Sequence, residues 1–240
     1  MTAPASASVS VPRQPRYRIP GLPQHLVQRG NDRQPTFYTA GDYRIYKECL
    51  RSAAATHACH IHAYVLMTNH VHLLVTPAAD ASLSRLMQSL GRRYVRYINQ
   101  TYQRTGTLWE GRYKACLVQA DTYFLACQRY IELNPVRAVM VTDPGQYEHS
   151  SYRHNALGLA DPLITPHPTY DALGHNPAAR CEAYRSMVQS SISTDATDKI
   201  RQETESCMVL GNDRFKDQIE AILDRSVRPG TAGRPRKIAV

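Results

Sequence analysis

Two strand-like runs, Cys59 to Met67 and His70 to Thr76, are separated only by Thr68 and Asn69, and that spacing predicts a tight antiparallel hairpin. A further short strand, His25 to Gly30, precedes them, and another, Tyr113 to Gln119, follows. Helical spacing fills the gaps. It covers Asp42 to about Ala55, a long stretch from a Ser82 cap to about Tyr102, and a stretch from an Asp121 cap to Asn134, where Pro135 ends it. In the long helix Leu83, Leu86, Met87, Leu90, Tyr94, Tyr97 and Ile98 follow the i, i+3, i+4, i+7 rhythm. Strands interleaved with helices around a hairpin predict an α+β sandwich, one antiparallel sheet covered by helices.

The flanks read differently. Residues 1–19 read as a disordered tail, 20–155 hold the interleaved elements, and 156–177 form a Pro-rich linker or long loop. Residues 178–225 read as a helical accessory region of three short helices, and 226–240 as a basic disordered tail. In that tail Gly233-Arg234-Pro235 resembles the core of an AT-hook, which makes Arg234 and Arg236 candidate minor-groove contacts.

Net charge is +9, which suits a polyanionic partner, and nucleic acid is the commonest one for such a chain. Six cysteines are scattered with no Cys-x-x-Cys pair, as expected for reduced thiols in a cytoplasmic protein. No stretch has the apolar length of a membrane span or a secretory leader.

His70-Val71-His72 opens a strand, so both imidazoles point to one face with Cα atoms about 7 Å apart. That spacing lets two imidazoles share an ion and leave positions open for phosphate oxygens and water. The plain alternative is a pair of satisfied strand histidines. A rival pair, His60 and His62, falls on the opposite face if the hairpin register is unbroken, which disfavours a four-histidine zinc cluster and a zinc hydrolase built on it. On the last of the three helices, Tyr130 and Asn134 are one turn apart and share a face. Tyr130 offers a phenol as nucleophile and Asn134 a carbonyl oxygen for a hard cation. With 15 tyrosines in the chain, the competing reading of Tyr130 is a core aromatic. Arg85, Arg92 and Arg96 form one stripe opposite the apolar face of the long helix, a candidate DNA backbone track.

Three segments, in this order, carry a resemblance. They are Tyr64-Val65-Leu66-Met67-Thr68-Asn69-His70-Val71-His72-Leu73-Leu74-Val75, then Gly106-Thr107-Leu108-Trp109-Glu110-Gly111-Arg112-Tyr113-Lys114, then Tyr130-Ile131-Glu132-Leu133-Asn134-Pro135-Val136-Arg137. Together they resemble the REP-associated tyrosine transposases, relatives of the insertion-sequence transposases with a single catalytic tyrosine among the HUH nucleases. The resemblance covers about residues 16–155 and, more loosely, the helical C-terminal part. It implies a ferredoxin-like sandwich with residues 20–155 as the catalytic domain, His70 and His72 as paired metal ligands, Tyr130 as nucleophile and Asn134 as the residue completing the metal site. It further implies Mg²⁺ or Mn²⁺ as cofactor and single-stranded or hairpin-forming DNA, of the repeated extragenic palindrome type, as substrate. Arg112, within the second segment, joins the candidate DNA contacts. The expectation is a nucleoid-associated monomer or homodimer with no membrane or small-molecule partner. A non-catalytic nucleic-acid-binding regulator on the same fold is the competing reading.

Overall fold

The computed structural model describes residues 16–190 and 193–228. Strand β1 (Gln24–Arg29) leads through helix α1 (Ala40–Thr56) to strands β2 (Cys59–Met67) and β3 (His70–Pro77). Helix α2 (Ser82–Thr101) then returns the chain to strand β4 (Lys114–Val118). The four strands lie in the order β2-β3-β1-β4, each antiparallel to its neighbours, and α1 and α2 pack side by side on one face. This is the β-α-β-β-α-β ferredoxin-like arrangement. A two-residue strand, β5 (Val209–Leu210), adds parallel to β4 and extends the sheet to five.

Local chemistry explains the two crossover helices. The carboxylate of Asp42, in the first turn of α1, accepts from the backbone N–H groups of Tyr38 and Thr39, which α1 cannot satisfy internally. It also accepts from the hydroxyls of Tyr97 and Tyr102, so one buried acid ties the start of α1 to the end of α2. Tyr46, Cys49, Leu50, Ala53 and Ala54 of α1 bury against Leu83, Leu86, Leu90, Tyr94 and Ile98 of α2 and against the sheet. Ser82 begins α2 as its first helical residue, and Ala81 occupies the cap.

Alternation along β3 separates two cores. Val71, Leu73 and Val75 face α1 and α2, whereas His70, His72 and Leu74 face the other way, towards helix α3 (Ala120–Glu132). Phe124, Cys127, Tyr130 and Ile131 of α3 cover that second face. Leu133 then interrupts the helix and a single further turn, α4 (Asn134–Arg137), restarts with Pro135 in its first turn, where its missing N–H costs nothing. The helix expected to reach Asn134 therefore stops at Glu132.

The hairpin register pairs Met67 with His70 and Val65 with His72, as an even turn requires. The expectation that His60 and His62 fall on the opposite face is overturned. The register shifts between Ile61 and Ala63, so His62 is an extra residue and His60 lies opposite Thr76, on the His72 face. His62 bonds the Thr76 hydroxyl and the Thr165 carbonyl. It is distance along β3, about 13 Å from Thr76 to His72, that keeps this pair apart from His72.

The C-terminal part packs on the α3 side. Helices α5 (Tyr152–Leu157) and α7 (Pro177–Gln189) converge on Glu132, which is fully buried, and α6 (Pro168–Asp171) packs between α3 and α7. Its carboxyl group accepts from Ser151 Oγ at 2.5 Å, Asn155 Nδ2 at 2.7 Å and Tyr184 Oη at 2.7 Å. The Pro-rich stretch at 156–177 runs against the edge of β2: Thr165 N donates to Ile61 O, and Leu163 and Tyr170 are buried. Helix α8 (Thr194–Glu205) packs on β1, β4 and α3, and helix α9 (Asp213–Leu223) buries Ile219 beside Leu117 of β4 and Val209 of β5. At the two ends of the described chain, Tyr17 and Val227 are buried with Leu117 and Ile219. Among the described residues no helix is long and apolar enough to cross a membrane, and all six cysteines are free thiols.

Candidate active site

His70 and His72 stand at the start of β3 with ring centres 5.1 Å apart. Each has its Nδ1 engaged. His70 Nδ1 lies 2.7 Å from Asn69 Oδ1, and Asn69 is oriented by its own amide nitrogen, which donates to Arg33 O. An amide oxygen only accepts, so His70 carries its proton on Nδ1 and leaves Nε2 as a lone pair. His72 Nδ1 lies 2.9 Å from Nε2 of His25, the β1 residue diagonal to it, and the two rings stack at 5.1 Å. His25 Nδ1 in turn lies 2.9 Å from Thr204 Oγ1 on α8.

Burial keeps all three rings neutral. It pulls His25 down to about 3, with Arg137 adding to the effect. His70 is lowered to about 4 by burial and then by Arg29. His72 is pushed well below the ordinary histidine range by burial, and then by the positive surroundings of His25, His70, Arg137 and Arg29. Neutral imidazoles are the form that binds cations.

Tyr130 comes to the same place from α3. Its ring centre is 6.1 Å from that of His72 and 5.9 Å from that of His25, both edge-on. Arg137 covers the ring, with its guanidinium carbon 4.1 Å from the ring centre. Asn134 Nδ2 donates to the carbonyls of Tyr130 and Ile131, which leaves Oδ1 as the group available to a cation. His70, His72, Tyr130 and Asn134 all line one cleft of about 470 Å³. Five cationic side chains, Arg29, Arg112, Lys114, Arg137 and Arg201, line it against two carboxylates, Glu110 and Glu205, so the cleft attracts anions. Among the described residues no group of three or more His, Cys, Asp or Glu side chains is placed to hold an ion. Two imidazoles and an amide form instead an open donor set, which suits an ion that must also accept substrate oxygens.

Residues 19–134 match the family described as IS200-like transposases, and that stretch contains both cleft histidines, Tyr130 and Asn134. The similarity to IS200-like transposases spans residues 19–134, a little under half of the chain. A solved structure of a REP-associated tyrosine transposase bound to a REP hairpin aligns with a TM-score of 0.54, at 17% identity over 65% of this chain and 93% of that one. The likeness is one of fold. A putative transposase from Deinococcus radiodurans R1 is 24% identical over 50% of this chain and 95% of that one, with a TM-score of 0.35. No curated protein matches the chain.

The cleft brings together His70, His72, Tyr130, Asn134 and Arg112. It does not bring in Arg85, Arg92 and Arg96. These are exposed on α2, the helix layer on the sheet face opposite α3. Arg234 and Arg236 lie outside the described residues. Sequence reading missed His25, Arg29, Lys114, Arg137, Arg201 and Thr204. Arg137 and Lys114 lie inside the recognised segments, which is a usable signal. Nothing local marks His25 or Thr204, because their proximity exists only once β1, β3 and α8 are assembled.

Proposed function

We propose that this chain is a transposase that cuts and rejoins single-stranded DNA through Tyr130. The observation that supports it above all is the meeting of a phenol from α3 with two imidazoles from β3 in one cation-lined cleft. A divalent ion, Mg²⁺ or Mn²⁺, held on His70 and His72 with Asn134, would supply charge neutralisation at a non-bridging oxygen of the scissile phosphate. Imidazole donors suit Mn²⁺ better than Mg²⁺.

The chain's own residues do the rest. Tyr130 Oη attacks phosphorus in line and gives up its proton to cleft water. The phosphodiester breaks to leave a 5′-phosphotyrosine link and a free 3′-hydroxyl. Attack by a 3′-hydroxyl on the phosphotyrosine reverses the step and joins strands, so no nucleotide cofactor is consumed. Arg137, over the phenol face, faces the negative charge that builds in the transition state, and Arg29, Arg112 and Arg201 hold flanking phosphates. Hairpin-forming DNA is the proposed substrate. The sequence resemblance supports it, as does the bound REP hairpin of the protein that shares this fold.

The test is incubation of wild type and Tyr130→Phe with a single-stranded hairpin and Mn²⁺. Wild type forms a metal-dependent covalent adduct that denaturing gels resolve, and the variant forms none. An adduct of equal yield from Tyr130→Phe removes Tyr130 from the mechanism. Absence of metal-dependent nicking by wild type favours the non-catalytic DNA-binding reading.

A further inference from the structure

His70 receives its orientation from its sequence neighbour Asn69, whereas His72 receives it from across the molecule. We propose that His25 and Thr204 are positioning residues, a hydrogen-bond relay that fixes His72 as its Nδ1–H tautomer and turns its Nε2 lone pair into the cleft. The purpose assigned to the relay rests on the metal-dependent reading above; its direction rests on geometry alone.

The direction follows from one atom that can only accept. Thr204 Oγ1 lies 2.7 Å from Ile200 O, one turn earlier on α8, and a hydroxyl has a single proton to give. That proton is committed to the carbonyl. His25 Nδ1, 2.9 Å from the same oxygen, must therefore donate to it. His25 is fully buried and its two ring nitrogens meet only a hydroxyl and an imidazole, with no carboxylate to balance a charge, so its ring is neutral and carries one proton. Its Nε2 is then an acceptor. His72 Nδ1, 2.9 Å away, supplies the proton, and His72 Nε2 is left bare. Cys116 Sγ, 3.5 Å from Thr204 Oγ1, fits as a second donor to that oxygen, whose two lone pairs are then both used.

The opposite polarity has a different consequence. If Thr204 donated to His25, the Ile200 carbonyl would lose that hydroxyl and every proton in the relay would shift. His72 would then carry its proton on Nε2 and could not bind a cation there. Water does not reach the middle of the relay, because His25 and Cys116 are fully buried. Thr204 belongs to α8, outside the stretch that matches the transposase family. The C-terminal helices, on this reading, are part of the active site of this chain.

The test begins with ¹⁵N-labelled, metal-free wild type. Two-bond ¹H–¹⁵N spectra of the His72 ring are expected to show a protonated Nδ1 and a bare Nε2, and a protonated Nε2 overturns the proposal. Thr204→Val keeps the side-chain shape and removes the hydroxyl, leaving His25 Nδ1–H against a methyl group. The His72 tautomer is expected to invert and Mn²⁺ affinity to fall about 10- to 100-fold, and Thr204→Ser to restore both. Unchanged tautomer and affinity in Thr204→Val also overturn it. Should that variant fail to fold, the wild-type spectrum still decides. A wild type with the expected tautomer but no Mn²⁺ binding upholds the relay and rejects the metal-dependent nuclease, so the two failures are distinct.

Discussion

Arg137 lies over the ring of Tyr130 and donates to the carbonyl oxygen of that same residue at 2.5 Å. Asn134 donates to that oxygen as well, so the turn after α3 closes back on the tyrosine that ends up in the cleft. A fixed cation over the ring faces the charge that develops during attack on a phosphate.

Arg137→Met keeps the apolar stem and removes the charge. Single-turnover cleavage is expected to fall by about 10²- to 10³-fold, as for loss of one preorganised charge donor, while hairpin affinity changes far less. Rapid-quench kinetics with fluorescence anisotropy on the same preparations separate the two. A rate within about twofold of wild type shows that the guanidinium takes no part.

The two sets of arginines on opposite faces of the sheet should behave differently. Replacing Arg29, Arg112 and Arg201 with Gln removes cations that line the cleft, and is expected to lower both hairpin affinity and cleavage at saturating DNA. Replacing the exposed Arg85, Arg92 and Arg96 is expected to weaken binding and reduce its salt slope by about 0.7 for each phosphate no longer neutralised, with saturated cleavage unchanged. Binding titrations across a range of salt concentrations measure this. An unaltered slope in the second set shows that the α2 stripe is only solvated surface.

Glu132 should make stability depend on pH. Burial raises its carboxyl to about 7, against the pull of Ser151, Asn155 and Tyr184. A raised acid binds its proton more tightly folded than unfolded. Its contribution is therefore complete below the unfolded value of 4.5 and is lost as pH rises through 7. Glu132→Gln is neutral throughout. Relative to wild type it is expected to gain up to about 3 kcal/mol between pH 4.5 and 8. Urea midpoints of both proteins at pH 5 and pH 8 give the double difference, in which the histidine contributions cancel. An equal gap at the two pH values would show that Glu132 ionises normally.

What the sequence determines here is local. The two-residue turn at Thr68-Asn69 and the alternation of β3 are enough to put His70 and His72 on one face, because strand side chains repeat every second residue. Helical period alone puts Tyr130 and Asn134 on one side of the chain, even though the helix breaks between them. The order of strands and helices is legible for the same reason, since turn chemistry and periodicity act within a few residues.

Tertiary structure decides everything that needs two distant elements. A single bulge at His62 reverses the face of the rival histidine pair, and no periodicity argument foresees one extra residue. The α2 arginines form a stripe in sequence, yet layer packing sends them to the face away from Tyr130. The partners of His72 come from β1 and α8, 47 and 179 residues apart in the two successive links of the relay. Hydrogen bonds between such groups cost chain entropy to form and hold only inside a packed, water-free core. The choice of which imidazole nitrogen faces the cleft is therefore written in the assembled fold, and in no segment of the chain taken alone.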